Sequence, residues 1–229
     1  GVRNLTRWVN SNCSFDQAAI HKTHIREYAG KCIVVDASIY MYKFKQDMQL
    51  YENFYQMVMM FREFNCTLLF VFDGKPPVEK NTTISERRTV RDDERSNAQS
   101  ISLEIQKLKD DRAELRDAMQ MSLTLESEYG DKIKRLETKL YHAKRASTRI
   151  GRYDVTTVKK MLDILKVPWL HPVNGEADDL CYEMVNKKVA WACMTEDSDL
   201  FVKGCDRVIM NFDLNELTCT LYTMKGILS

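Results

Sequence analysis

Three acids fall within four positions of the stretch "WACMTEDSDLF", where Glu196, Asp197 and Asp199 follow directly on an apolar run. Carboxylates about 4 Å apart repel by about 4 kcal/mol at an effective dielectric of 20, so a fold gains nothing by clustering them unless a cation lies between. The ending recurs elsewhere in the chain. "CIVVDAS" closes an apolar run on Asp36, "TLLFVFDG" closes another on Asp73, and "HPVNGEADDLCYEMV" sets Glu176, Asp178 and Asp179 at the head of a helical pattern. Taken singly, each has a plain explanation. Aspartate is a common cap after a strand, and acids in a first helical turn gain from the helix dipole, which is the reading preferred for Asp179.

Gathered into one pocket, Asp36, Asp73, Glu176, Asp178, Asp197 and Asp199 would raise one another's pKa values, and no equal group of Lys or Arg accompanies them in these motifs. Hard divalent cations are the natural counterions for such a set. Oxygen-only ligation with retained water suits Mg2+, with Mn2+ as a substitute, and the absence of His and Cys ligand pairs argues against zinc. Two such ions about 3.5 to 4 Å apart activate a water and stabilise the leaving oxygen in phosphodiester hydrolysis. Strand alternation turns Glu196 away from this group.

For these acids to meet, their runs must be neighbouring strands. Cys32 to Ser38, Thr67 to Gly74 and Val189 to Asp199 are each nearly continuous in apolar residues, the pattern of strands buried on both faces of a parallel sheet. Leu50 to Asn65 has helical spacing between the first two, so a strand, helix, strand order and a mostly parallel α/β sheet flanked by helices are predicted. Ligand crevices in such sheets lie beyond the carboxyl ends of the strands, which is where the acids stand. "RVIMNFD" and "TCTLYT" add an edge pair or meander.

The segment from Ser85 to about Arg149 is different in kind. It is charged, lacks proline, and carries two apolar stripes at helical spacing: Ile101, Ile105, Leu108, Leu115 and Met119, then Tyr129, Ile133, Leu136 and Leu140. The break is expected around "ESEYGD", at Gly130. Two long helices in a hairpin follow, either projecting from the sheet or serving as a coiled-coil dimerisation arm. The second helix and its exit are basic, with Lys132, Lys134, Arg135, Lys139, Lys144, Arg145, Arg149 and Arg152 against Glu137 alone, a stripe that suits a phosphate backbone or a solvated face. The expected division is 1–84 and 151–229 as two parts of one α/β domain and 85–150 as the insertion.

Composition bounds the rest. A chain of 229 residues with 44% hydrophobic residues buries a sizeable core. No apolar run approaches the roughly 20 residues of a membrane helix, and the N-terminus has neither a signal core nor the Ser or Thr of a myristoylation motif. The protein reads as intracellular, in the nucleus if eukaryotic and otherwise in the cytoplasm. Seven widely spaced cysteines without a C-x-x-C pair read as reduced core residues.

Taken jointly and in order, "GVRNLTRWV", "VVDASIYMYKF", "FVFDGKPPVEK" with "SERR", "NGEADDLCYEMV" and "TEDSDLFVKGCDRVIM" resemble the flap-endonuclease family of structure-specific 5′ nucleases, with a PIN-like domain. The resemblance implies that Asp36, Asp73, Glu176, Asp178, Asp197 and Asp199 bind two catalytic metals. It implies that Lys80 contacts the scissile phosphate, that Arg87 or Arg88 replaces a further arginine of the family pattern whose position is held by Ile84, and that Tyr42 stacks on a base. By the same resemblance, Gly1 lies with the substrate-binding residues, and the charged segment is a helical arch over single-stranded 5′ ends, with Lys139, Lys144 and Arg145 on its basic side. The implied partners are DNA with 5′ flaps, 5′ ends or single-strand/duplex junctions, and a sliding clamp or other replication proteins. The family continues beyond a segment like "MKGILS" into a motif with a seventh metal acid and a duplex-binding helix-turn-helix region, neither of which is within these residues. Two alternatives stay open: an RNA-directed nuclease of the same fold, and a non-catalytic nucleic-acid-binding scaffold.

Overall fold

The computed structural model describes residues 4–13, 19–75, 81–118 and 122–227. It divides into two compact units, 1–78 with 150–229, and 79–149.

The first unit is built on a seven-stranded sheet in the order β1-β7-β6-β5-β2-β3-β4. Its strands are β1 (Ile20–His24), β2 (Cys32–Asp36), β3 (Thr67–Val71), β4 (Trp169–Leu170), β5 (Ala192–Met194), β6 (Arg207–Asp213) and β7 (Thr218–Thr223). The five from β4 to β6 in the sheet are mutually parallel, while β7 pairs antiparallel with β6 and β1 antiparallel with β7. The predicted pair of C-terminal strands is therefore a hairpin on which β1 is added.

Alternation along the central strands sends side chains to two separate cores. Ile33, Val35, Phe70, Ala192, Met194 and Ile209 pack on one face against α2 (Ala37–Gln46), α3 (Leu50–Glu63) and α6 (Arg152–Ile164). Val34, Val71, Cys193, Val208 and Met210 pack on the other against α1 (Leu5–Cys13), α7 (Ala177–Asn186) and α8 (Asp199–Val202). This double burial is why the strands read as unbroken apolar runs. A short helix, α9 (Met224–Ile227), follows β7, and all seven cysteines are free.

The second unit is a hairpin of α4 (Asn81–Asp117) and α5 (Leu123–Ala146). Ile105, Ile133 and Leu136 form its buried seam, with Ile101, Leu108 and Leu140 packed alongside, as the stripes predicted. The break, however, falls between Asp117 and Leu123, ahead of the expected "ESEYGD", and Gly130 lies inside α5. A helical glycine costs about 1 kcal/mol. Packing of the seam beyond it, at Ile133 and Leu136, outweighs that cost, and Ser122 supplies the start signal by accepting the Leu125 N–H on its hydroxyl at 3.2 Å. Glu126 fastens this end by ion pairs with Arg112 and Arg116, whose hydrogen bonds hold its carboxyl down to about 2.

Candidate metal centre

The chain runs from β2 outward to β3 and β4, then returns to β5 on the other side of β2, so the winding reverses between β2 and β5. Open α/β sheets place their ligand crevice at such a point. Asp36, the last residue of β2, stands there, 5% exposed. Its Oδ1 caps α2, accepting from Ser38 N at 3.1 Å and Ile39 N at 3.4 Å, and its Oδ2 accepts from Thr195 Oγ1 at 3.3 Å.

Thr195, fully buried directly after β5, extends this link into the acid run. Its Oγ1 accepts from Asp197 N at 3.2 Å, and Asp197 Oδ1 accepts from Asp199 N at 3.0 Å. A single hydrogen-bonded chain therefore joins Asp36, Thr195, Asp197 and Asp199. Burial and then the nearby Asp73 carboxylate push the Asp36 carboxyl up to about 7, against the three hydrogen bonds that favour its charge.

Asp73 lies two residues beyond β3, and its Oδ1 accepts from Ala177 N at 2.9 Å. That bond ties it to the head of α7, where Glu176 is the N-cap residue and Asp178 is in the first turn. The two loops are zipped together: Gly74 N donates to Gly175 O at 3.0 Å, Gly175 N to Lys75 O at 3.1 Å and Lys75 N to Val173 O at 3.2 Å. A Cβ on Gly74 would stand 2.4 Å from Pro172 O, so only glycine permits this approach.

Asp178 is turned elsewhere: Lys203, just after α8, donates to its Oδ2 at 2.7 Å and also pairs with Asp179. The acid group thus includes Lys203 as a paired cation, a contact that the sequence motifs did not reveal. Burial opposes the Lys203 charge, but its bonds to Asp178 and Asp179 outweigh burial and hold its pKa above the ordinary value. Glu196, as expected, faces away, pairing with Lys43 at 3.3 Å and accepting from Asn211 N at 3.0 Å.

Among the described residues, no three His, Cys, Asp or Glu side chains are grouped closely enough to hold one ion. The donor set nonetheless fits a hard divalent cation. Every candidate ligand is a carboxylate, and Asp36 is a buried acid whose charge is opposed by its surroundings, the condition that a cation relieves. Asp36, Asp73, Glu176, Asp197 and Asp199 are the residues that would hold it, with Asp178 joining if its Lys203 pair opens.

Tyr42 is on α2, 37% exposed. Lys80 and Gly1 lie outside the described residues. Arg87 and Arg88 are exposed on α4 of the hairpin unit, Arg88 beside Asp92 at 3.9 Å. On α5, Lys139 lines a groove with Glu94, Glu104 and His142, Lys144 is exposed in the last turn, and Arg145 donates to Tyr141 Oη at 2.7 Å. Thr195, Gly74 and Lys203 were missed in the sequence. For Thr195 there was a signal, since a hydroxyl residue between an apolar strand and alternating acids suits a side-chain link.

A family model described as the XPG N-terminal domain matches residues 1–94, and one described as the XPG I-region matches residues 166–228. A probable RAD2-like endonuclease of Invertebrate iridescent virus 6 is 26% identical over 93% of this chain and 57% of its own length. Flap endonuclease 1 of Trypanosoma cruzi is 26% identical over 87% of this chain and 48% of its own. The chain thus spans about half the length of these curated relatives. Among solved structures, the catalytic core of Rad2 in complex with DNA substrate superimposes with a TM-score of 0.60 at 18% identity, over 95% of this chain and 55% of that one. The flap endonuclease-1 from Methanococcus jannaschii gives 0.55 at 18%, over 95% and 64%, and GEN1 with product DNA and Mg2+ gives 0.55 at 11%, over 99% and 41%. These structures share the fold.

Proposed function

Because the chain belongs to the flap-endonuclease/XPG family of 5′ nucleases, to which both family models assign it, we propose that it carries the catalytic core of a structure-specific nuclease hydrolysing phosphodiester bonds in branched or 5′-ended DNA. The observation that supports this best is the hydrogen-bonded run from Asp36 through Thr195 to Asp197 and Asp199, with Asp73 close enough to oppose ionisation of Asp36. It lies where the sheet winding reverses.

In this reading Asp36, Asp73, Glu176, Asp178, Asp197 and Asp199 hold two Mg2+ ions, with Mn2+ as substitute. Bound there, the ions supply an activated water and charge stabilisation at the leaving oxygen. Thr195 fixes the distance between the β2 and β5 acids. Lys80 and either Arg87 or Arg88 take the nonbridging oxygens, Tyr42 supplies a sequence-tolerant stacking face, and Lys139, Lys144 and Arg145 draw the strand in electrostatically. Replication proteins, a sliding clamp among them, are the partner class this role implies. Among the described residues no helix is long and apolar enough to cross a membrane.

The test is cleavage of an end-labelled 5′-flap duplex in Mg2+, in Mn2+ and in chelator, beside Asp197→Asn and a matched RNA flap. Metal-dependent cutting of the DNA flap that is lost in Asp197→Asn is expected. Equal cutting by wild type and Asp197→Asn refutes the assignment of the acids, and preference for the RNA flap refutes the substrate.

A further inference from the structure

Four lysines of the sheet unit are half-buried: Lys43, Lys45, Lys159 and Lys203. Three are neutralised, Lys43 by Glu196, Lys45 by Asp154 and Lys203 by Asp178 and Asp179. Among the described residues Lys159 has no carboxylate partner. Its ammonium sits over the rings of Phe72 and Trp169, at 4.7 and 4.5 Å from their centroids, and contacts His171 Nδ1. A half-buried ammonium held on two ring faces beside an imidazole, with no anion to pair with, is suited to an anion that arrives with a ligand.

The pair is rigidly placed at the carboxyl ends of β3 and β4. Trp169 is held by its Nε1–H, which donates to Asp163 Oδ1 at 2.8 Å, and its ring meets Phe72 edge to face at 6.0 Å. Phe72 N donates to Leu170 O at 2.9 Å, and Phe72 directly precedes Asp73. His171 directly follows β4, and Asp73 is near enough to act on its charge. Because Nδ1 faces an ammonium, it is the acceptor nitrogen, so Nε2 carries the proton. Nε2–H therefore points away from Lys159, so the ammonium is the donor offered to an incoming anion, and His171 positions it at the rim of the acid crevice.

We propose that Lys159 and His171 form a phosphate-holding site on the β4 side of the crevice, which grips a backbone phosphate of the strand whose neighbouring linkage lies at Asp73. The proposal rests on the nuclease reading for the identity of the strand, but not for the existence of the site. Burial holds the Lys159 pKa below its ordinary value, as expected for a cation kept without its own counter-anion.

The experiment is NMR of the imidazole protons during titration with a short 5′-phosphorylated oligothymidylate, with the same strand lacking the 5′ phosphate, and with inorganic phosphate, all without divalent metal. The chain has four histidines, and His24, whose ring meets Phe64 edge to face at the far edge of the sheet, is the internal reference. A saturable shift of His171 is expected with both oligonucleotides, weakened at least about 10-fold in Lys159→Met, which keeps the stem on the two rings. The salt slope should flatten by about 0.7, the value for one phosphate contact on a single strand. His171→Gln, read by fluorescence anisotropy on the same strand, should lose affinity while Lys159→Arg retains it. A shift only with the 5′-phosphorylated strand would replace the backbone phosphate by a terminal one and overturn the proposal as stated. No shift of His171, or an equal shift in Lys159→Met, overturns it outright. Failure of metal-dependent cleavage would leave these shifts in place, so the two readings fail separately.

Discussion

Gly74→Ala is the substitution on which the geometry of the crevice bears most directly. The new Cβ would lie 2.4 Å from Pro172 O, 3.0 Å from Gly175 O and 3.2 Å from Asn174 C, all backbone atoms. The shortest of these is about 1 Å inside ordinary contact. No side chain can swing aside, so the two loops must separate by about that amount. Separation strains the reciprocal bonds between Gly74, Gly175 and Lys75 and draws Asp73 from the Ala177 N–H that it accepts at 2.9 Å. Overpacking of this kind costs about 1–3 kcal/mol, a fall in melting temperature of roughly 3–10 °C for a unit of this size. A misplacement of about 1 Å at a reacting centre costs about 100-fold in rate, well beyond the effect on stability. Calorimetric Mn2+ titration and flap cleavage are the assays, with affinity expected at least about 10-fold weaker and cleavage about 100-fold slower. Gly130→Ala is the control, since its Cβ would meet nothing within 4 Å inside α5, and it should raise stability by about 0.5–1 kcal/mol. Wild-type melting and Mn2+ affinity in Gly74→Ala would refute the argument that the zipped loops set the distance between Asp73 and Glu176.

Three further outcomes follow from other contacts. Asp36→Asn keeps the acceptor that caps α2 but removes a charge opposed by burial and by Asp73, so in chelator at pH 8 it should melt higher than wild type while losing Mn2+ binding; a lower melt counts against the buried charge. Lys43→Met unties Glu196 from α2 and leaves Phe212 O without its 2.7 Å donor; it should cost about 1 kcal/mol by urea unfolding and raise the Mg2+ requirement severalfold through the Thr195–Asp199 loop, and an unchanged metal requirement limits Glu196 to stability alone. Asp154 is pushed up by burial, but bonds from Lys45, Gly151 N and Tyr51 hold it below the ordinary carboxylate value. A depressed folded pKa contributes stability that is present above the unfolded value of about 3.9 and lost as pH falls through the folded one, so Asp154→Asn should cost about 1–3 kcal/mol at pH 7 and flatten the acid limb of a denaturation series.

What the sequence disclosed was whatever double burial or a long seam writes into local composition. β2, β3 and β5 are apolar on both faces, so their runs and terminal acids stood out, and the hairpin seam repeats at helical spacing over many turns. β4 is two residues long, and β1, "IHKTH", is an edge strand of mixed composition specified by pairing with β7, so neither has a pattern of its own. Gly130 misled because a single glycine is weak evidence for a break when a packed seam lies just beyond it, at Ile133 and Leu136. Lys203 and Gly74 act across the chain, on Asp178 and on Pro172, and one-dimensional spacing carries no trace of such meetings.

The same contrast explains why the β2 end is the critical point of the crevice. The other acids differ in setting: Asp73 is exposed, Asp178 is paired with Lys203, and Asp197 and Asp199, before and at the start of α8, are half-buried. Asp36 is fixed by three roles at once, as the last strand residue, the cap of α2 and the acceptor for Thr195. Its backbone is paired with Val71 of β3, and Val35 directly before it with Met194 of β5. A carboxylate so fixed costs stability when ionised and gives no entropy up when it binds a cation, which is how preorganisation at a functional site trades against the fold. The hydroxyl of Thr195 transmits that fixed position to Asp197, and through it to Asp199. Thr195→Val, nearly isosteric and lacking the hydroxyl, is therefore the substitution that separates the two halves of the site: it should leave the apolar packing in place while weakening Mn2+ binding. Binding as tight as in wild type would mean that the β5 acids find their positions without the link.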